Sequence, residues 1–600
     1  MAAGNVINFG TQEQAKAFGL RIPDDFELAL RRHIEQRLLG LRINRYSWWV
    51  HGRELADFFL PRRYKWLITP NQMGRGSPIN QHILDSTPTI AARNLAAGIM
   101  YGVSNPTAPW FRLAFGRTNS TGTSPVAIWL RLVEEILFQI FQESNFYQSL
   151  AILYFDLVIF GTGSMLIYED FRNVINCVNP CYGEFYADVN AQLNMVDVFY
   201  REFTYTVQQV VERWGLENVS PSVASLYRNQ GSGLTREVIV AHAIEPNYES
   251  RKYGVPSNFK YREVYWEWGG SASPQGGSSF APGLLERRGF YEAPHITPRW
   301  DTVANDAYGR SPAMDALPDC KQLQLQVRRQ AQGIDKQVNP PLQADLQLKN
   351  QPAALIPGGV TFIAGLLSST GGGMRSIYDH RIELGAMNEN LELIRGRTKQ
   401  IFYNDLFQTI SQYQTRSNVT AQEINVRRAE SFIMLGPVIH RLQLELLSRA
   451  IDRTFGIAAR AGILPPAPAE IQGQELNVQY ISMLSLAQQA AQTAGIEGIL
   501  KFVEALGPMD PAAVDKINID FAIDRYNFLI NNDPRLMRSD QEVAQIRAQR
   551  QQQQAKQQAV ESAPGLAKAG LDASQIQIGQ GQSALDAMMG RTGPSMGAAA

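Results

Sequence analysis

The stretch that most constrains the fold is Val419–Ile463, VTAQEINVRRAESFIMLGPVIHRLQLELLSRAIDRTFGIAARAGI. Thr420 and Glu423 stand in capping-box spacing, which satisfies two of the unpaired donors at a helix start. Leu435, Val438, Leu442, Leu446, Ala450 and Phe455 recur close to helical spacing, and Gly462 before Pro465-Pro466 stops the pattern. At 1.5 Å per residue the helix would run roughly 60 Å, far beyond an ordinary globular helix. Pro437 lies within it. Proline removes a backbone donor and crowds the preceding turn, so the sequence predicts a kink there. A long bent helix braces other layers, and the rest of the chain must supply them.

Six hundred residues are too many for one core, so several subdomains are expected. Lys and Arg number 56, and so do Asp and Glu. That balance argues against a protein that clamps nucleic acid by neutralising phosphates, though not against one that touches DNA in passing. Cys177, Cys181 and Cys320 make no disulfide framework. The Cys177-x3-Cys181 spacing lacks a second pair and a nearby histidine, so zinc is not expected and the three read as buried free thiols. Such thiols suit a reducing compartment. The N-terminus shows no basic-then-apolar signal pattern. The most apolar stretch, Leu150–Tyr168, carries Asp156 and a Gly161-Thr162-Gly163 turn. It reads as a core helix followed by a strand, with no membrane span.

Along the chain, residues 1–23 read as a loose N-terminus. Asp24–Phe59 is helical and ends at Pro61. GRGSP (74–78) is a loop, Ser86–Met100 restarts a helix, and Pro125–Phe160 holds two more. Val196, Val198 and Tyr200 alternate with polar residues, Thr206 and Gln209 form a capping box, and Glu237–Ile244 and Tyr261–Trp268 read as strands. All nine tryptophans precede residue 301, so the first half is an aromatic-cored α+β body and the second half is built differently. There, Ser311–Asp335 is a helix with Leu323, Val327, Ala331 and Ile334 on one face. Asn339-Pro340-Pro341 ends it, and residues 342–379 are short strands and Gly-rich turns. Arg381–Tyr403 is helical again, and a polar stretch with Gln408, Gln412, Gln414 and Asn418 leads into the long helix. Ile481–Leu506 and Pro511–Leu529 are shorter helices, Gln541–Gln558 is Gln-rich, and the last forty residues have the composition of a disordered tail. A small module between two helices that leave the body and return is the layout of a stalk with a tip.

Catalytic patterns are missing. There is no Gly-x4-Gly-Lys-Ser/Thr and no Gly-Lys dipeptide, which excludes a P-loop ATPase. Gly161-Thr162-Gly163-Ser164 lies between helix and strand, the wrong order for a dinucleotide fingerprint, and reads as a tight turn. No His-Glu-x-x-His and no Gly-x-Ser-x-Gly occur. His440 reads as a packed or surface residue, and Asp301 with Asp306 as a solvated loop. No catalytic residue, cofactor site or metal site is assigned, and the spread-out organisation points to assembly.

TPTIAARNLAAGIMYGVSNPTAPWFRL (87–113), DLVIFGTGSMLIYED (156–170), YGRSPAMDALPDCKQL (308–323), VNPPL (338–342) and residues 420–468 together resemble the head-to-tail connector, or portal, proteins of short-tailed bacteriophages. The five pieces fall in the right order and cover about 24 to 550. The resemblance implies a mainly helical α+β subunit in a ring of about twelve copies at one vertex of the viral head. DNA enters through the ring, driven by a separate terminase, and later leaves through it. Implied partners are further copies of the chain, terminase, tail adaptor or nozzle proteins, the major capsid protein and scaffold, and the passing double-stranded DNA. No membrane and no enzymatic activity are implied. The family order maps a wing onto 24–307, stem helices onto 308–335 and 381–403, a clip onto 336–380, and a tunnel loop onto 404–418. The long kinked helix follows at 419–465, a crown at 466–545, and a Gln-rich helix with a disordered tail at 546–600.

Physical chemistry agrees with such a conduit. Each tight cationic contact to phosphate raises a barrier to sliding, so a neutral chain with a glutamine-rich inner loop is suitable. Gln408, Ser411, Gln412, Gln414, Arg416 and Asn418 are the expected channel residues, offering weak hydrogen bonds and one cation. In the clip, Ile356, Phe362, Ile363 and Leu366 are expected to contact neighbouring clips and terminase or the tail adaptor, because so small a module buries little alone. Twelve helices of about 10–12 Å diameter, side by side, close a circle roughly 40 Å across with a lumen of about 30 Å, wide enough for duplex DNA. The competing reading is another virion component, an internal ejection protein or a tail adaptor, without a packaging role.

Overall fold

The computed structural model describes residues 19–63, 82–115, 125–248, 258–268, 283–338, 383–404, 435–468, 476–480, 495–503, 518–530 and 542–557, with a few isolated positions besides. The chain divides into two compact units. The first comprises 1–113, 132–466 and 476–492, and the second 114–131, 467–475 and 493–600.

The first unit is built on a helix and a sheet. Helix α1 (Asp25–Phe59) starts where Asp24 accepts a hydrogen bond from the Glu27 amide at 2.6 Å. Strands β4 (Phe185–Asn190), β5 (Met195–Thr206), β6 (Glu237–Pro246), β7 (Tyr261–Glu267) and β8 (Glu286–Phe290) form an antiparallel sheet in that order. Leu30, Ile34, Leu38 and Leu41 of α1 pack on one face, against Tyr200, Ala241, Ala243, Val264 and Trp266. The other face sends Phe203, Val238, Val240 and Tyr265 against α5 (Val207–Trp214) and α6 (Pro221–Arg228). Alternate residues of each strand thus enter different cores, as the pleat requires. The Thr206–Gln209 capping box is present at the start of α5.

Arg45 of α1 is buried beneath four rings. Its guanidinium lies 4.6, 4.7, 5.5 and 4.9 Å from the ring centres of Tyr182, Phe185, Tyr186 and Tyr308. Its Nη2 donates to the Tyr182 carbonyl. These rings take the place of a carboxylate. The aromatic richness of the first half therefore does structural work beyond filling volume.

Strand β1 (Phe111–Phe115) comes first in the chain, and a smaller sheet orders β3 (Val174–Val178), β2 (Met165–Asp170) and β9 (His295–Ile296). Helices α2 (Thr87–Val103), α3 (Pro125–Glu143) and α4 (Phe146–Phe160) complete the body. Helix α4 ends at Gly161, whose φ of +73° suits glycine, and strand β2 follows, as the sequence predicts. Cys177 and Cys320 are buried, whereas Cys181 is half-buried, short of the full burial expected. Burial pushes the Cys177 thiol up to about 12. Among the described residues no helix is long and apolar enough to cross a membrane.

In the second unit, helix 519–530 is tied to the helical residues 495–503 by Tyr526, whose hydroxyl donates to Glu497 at 2.7 Å. Arg547 of the helical segment 542–557 makes a two-pronged contact to Asp520, both at 2.7 Å.

Candidate functional site: the paired helices and the roots of the inner segment

Helix α7 (Pro312–Val338) is launched from the α4–β2 turn. The Trp300 amide donates to the Gly161 carbonyl at 2.8 Å and the Gly309 amide to Thr162 Oγ1 at 2.7 Å. Ser311 Oγ donates to the Ile159 carbonyl at 2.7 Å and accepts from the Met314 amide at 3.2 Å, so it anchors and caps at once. A Cβ at Gly161 would stand 2.2 Å from the Gly309 carbonyl oxygen, so the two glycines permit the close approach. The tight turn read from Gly161-Thr162-Gly163 aims the helix.

Helix α8 (Leu384–Ile401) returns antiparallel along α7. Leu323, Leu391 and Ile394 are buried between them, with Val327 alongside. Polar groups fix the pair to the body. Gln324 Oε1 accepts from the amides of Leu84 and Asp85 at 2.7 and 2.8 Å, and its Nε2 donates to the Asp85 carbonyl at 2.8 Å. Asp85 Oδ2 in turn accepts from Arg395 Nε and Nη2 at 2.9 and 2.7 Å. Burial works against the Asp85 carboxylate, but hydrogen bonds from Thr87 and Arg395 hold it below the usual range. Between the two helices, β10 (Leu342–Gln343) pairs antiparallel with β11 (Arg375–Ser376). The expected clip residues Ile356, Phe362, Ile363 and Leu366 lie outside the described residues, as do the channel residues Gln408, Ser411, Gln412, Gln414, Arg416 and Asn418.

Both roots of segment 405–434 are buried. After α8, Phe402 is fully buried with its ring 5.7 Å from that of Phe59, and Asn404 is buried behind it. At the other end Leu435 is buried, and α9 (Gly436–Leu442) begins.

Of the expected long helix, the part from Leu435 onward lies among the described residues. The capping box at Thr420 and Glu423 lies outside the described residues. The described helix starts at Gly436, which puts Pro437 in its first turn, where a missing amide donor costs nothing. The turns before Leu435, against which a kink at Pro437 would be seen, lie outside the described residues. An irregularity falls at Gln443–Ser448, a π turn that leads into α10 (Arg449–Arg460). The wider turn lets Glu445, Leu446 and Leu447 all bury in succession.

Glu445 closes a buried ion pair that the hydrophobic spacing gave no sign of. Arg299 Nη2 donates to its Oε1 at 2.6 Å, and the Arg299 amide and Nε donate to Oε2 at 2.9 and 3.3 Å. Arg299 also donates to the carbonyls of Asp306 (2.8 Å) and Asn194 (2.5 Å). An arginine row continues the attachment. Arg441 reaches the Trp300 carbonyl at 2.9 Å and Asp301 at 3.1 Å, and Arg449 the Val196 carbonyl at 2.6 Å. Arg453 and Arg460 share Glu292 at 2.8 and 2.7 Å. The sequence does show arginines at 441, 449, 453 and 460, a spacing that keeps to one helical side. Asp301 is exposed, as expected of a solvated loop, and is Arg441's partner.

Among the described residues no group of three or more His, Cys, Asp or Glu is placed to hold a metal ion. An α+β body, a helix pair fixed to it by buried polar contacts, and a segment rooted at both ends define a structural subunit. The chain belongs to a family described as bacteriophage head to tail connecting protein, whose pattern matches residues 31–537. It is 36% identical over 535 residues to the probable portal protein of Bordetella phage BPP-1, covering 88% of this chain and 93% of that protein. It is 34% identical over 565 residues to the portal protein of Salmonella phage epsilon15, covering 94% and 98% respectively.

Proposed function

We propose that this protein is the portal of a tailed phage, the connector through which the genome enters the head and leaves it. The carrying observation is similarity across nearly the whole length to two portal proteins, inside a family match that spans body, helix pair and second unit. The antiparallel pair α7–α8 is the stem, residues 336–380 the clip, and 404–418 the tunnel loop. About twelve copies form the ring at one capsid vertex. Clip residues Ile356, Phe362, Ile363 and Leu366 meet terminase during packaging and the tail adaptor afterwards. The major capsid protein and scaffold surround the wing. The protein is structural and hydrolyses no ATP itself, since it lacks a phosphate-binding loop.

The buried residues Phe402 and Leu435 anchor both ends of the segment that holds the tunnel loop, which supports the channel reading. Gln408, Ser411, Gln412, Gln414, Arg416 and Asn418 then touch passing phosphates without trapping them. Electron microscopy of the purified protein tests the assembly: end-on rings with a central hole are expected, and discrete non-annular particles would overturn the proposal. The channel assignment has its own test. Gln408→Lys with Gln412→Lys is expected to preserve rings but slow packaging or ejection at low salt, with partial relief by added salt. Wild-type rates at low salt would remove 404–418 from the channel.

A further inference from the structure

On an α-helix, residues two apart point about 200° apart, so a buried seam implies an opposite seam two positions on. In α7 the seam facing α8 contains Leu323 and Val327, which puts Leu325 and Arg329, with neighbouring Arg328, on the far side. In α8 the inward seam contains Leu391 and Ile394, which puts Glu389, Leu393 and Gly396 on the far side. The pair is therefore a slab with one outward seam on each flank. Leu325 is 47% exposed and Leu393 67% exposed.

The two seams are complementary. That of α7 carries Arg328 and Arg329, and that of α8 carries Glu389 and Glu392. Among the described residues Arg328, Arg329 and Glu389 have no ion-pair partner, whereas Glu392 pairs with Arg395 of its own helix. The α8 flank is also shaped to receive side chains. An open groove of about 590 Å³ runs along Ala386, Glu389, Leu393 and Gly396, and nothing lies within 4 Å of where a Cβ on Gly396 would sit.

Height along the slab is set by contacts inside it. Asp319 is level with Arg397 (3.5 Å), Leu323 with Leu391 and Ile394, and Gln330 with Asn388 (2.6 Å). On that register Leu325 stands level with Leu393, and Arg328 with Glu389. Copies related by rotation about an axis along the slab keep equal heights, so the matching residues of adjacent copies face each other.

We infer that the occupant of the α8 groove is helix α7 of a second copy of this chain, with Leu325 packed on Leu393 and Arg328 paired with Glu389 across each subunit boundary. The inference rests on the ring proposed above and specifies its contacts. The interface is heterologous, one flank against the other, and such an interface closes into a ring when the rotation per copy divides a full turn.

The test uses the full-length chain. Sedimentation velocity and micrographs of the wild type establish the ring. Arg328→Glu and Glu389→Arg, each alone, put like charges at every boundary and are expected to lose the ring peak. The two together restore the opposite-charge pair and are expected to recover it. Independently, Leu325→Cys with Leu393→Cys under mild oxidation is expected to give a ladder of cross-linked multimers on non-reducing gels, with no ladder from either single variant. Far-ultraviolet circular dichroism equal to wild type shows that each variant folds. Wild-type rings with neither charge rescue nor a ladder would overturn this inference while leaving the ring reading intact. A wild type that never forms rings would overturn both.

Discussion

The sheet body and the α7–α8 pair are both helical on at least one side, yet they are finished to different degrees. In the body, both faces of the sheet are covered and even charged groups are internal. Arg262 and Arg37 converge on Glu245, which also accepts from Tyr200 at 2.9 Å. His242 Nε2 donates to Glu263 at 2.7 Å, beneath Tyr265 stacked on its ring. The helix pair, by contrast, buries three residues between its members and leaves two leucines and several charges on its flanks. The body turns its charged groups inward, against partners within the same chain. The helix pair turns apolar and charged side chains outward, which is what the inferred contact between copies would use.

The largest expected effect breaks the finished side of that contrast. Glu445→Ala leaves Arg299 buried without its carboxylate, and removing one partner of a buried pair costs about 3–5 kcal/mol. Thermal unfolding should show the loss, while Asp301→Ala, which removes an exposed partner of Arg441, should change stability by less than about 1 kcal/mol. Equal effects would erase the distinction between body attachment and surface pairing.

Next comes the helix pair itself. Ile394→Ala removes a fully buried side chain and should cost about 2–5 kcal/mol. Leu393→Ala, one residue on, should alter the stability of the unassembled chain by no more than about 0.5 kcal/mol. Chemical denaturation at low protein concentration measures both. A large loss from Leu393→Ala in the unassembled chain would show that the outer seam is already covered.

A pH effect follows from the body's buried histidines. Burial pushes His242 down to about 4, against a hydrogen bond to Glu263 that opposes it, and pushes His295 down to about 3. The folded state therefore binds fewer protons than the unfolded chain. Their contribution is fully present above about pH 6.5 and is lost as pH falls toward the folded values. Asp156, Asp197 and Glu267 are raised by burial and act in the opposite sense, so the contrast should be measured by difference. His242→Gln should flatten the fall in melting temperature between pH 6.5 and 5; an unchanged slope would mean that His242 does not titrate on unfolding.

The smallest effect concerns Pro437. It occupies the first turn of α9 and is exposed, so Pro437→Ala should shift stability by less than about 1 kcal/mol and leave ring formation intact. Loss of rings from this change alone would return a structural bend to Pro437.

Much of the fold was legible because local rules and tertiary context agreed. Asp24, Thr206 and Gly161 sit at element ends for reasons internal to their own few residues, and the α4–β2 break and the strands at 195–206, 237–246 and 261–267 follow from periodicity. The helix pair was legible from the faces of 311–335 and 381–403, although the described helices end at Val338 and Ile401. The kink expected at Pro437 depends on turns before Leu435 that lie outside the described residues, and the Pro437→Ala variant tests it. Pairings such as Gln324 with Leu84 and Asp85, or Arg299 with Glu445, join residues about 240 and 146 positions apart. No local pattern encodes such a choice.

By itself, then, the sequence determined the family, the α+β and mainly helical class, the alternation of strands, the helix caps and the absence of a phosphate-binding loop. Each depends on a residue and its near neighbours, or on a pattern written along the chain. Only the tertiary structure decided which arginine meets which carboxylate, where the helix after residue 435 widens, and that Leu325 and Leu393 stand at one height on opposite flanks. Those are set by the register of one helix against another, and register is fixed by packing between segments that the chain brings together only when folded.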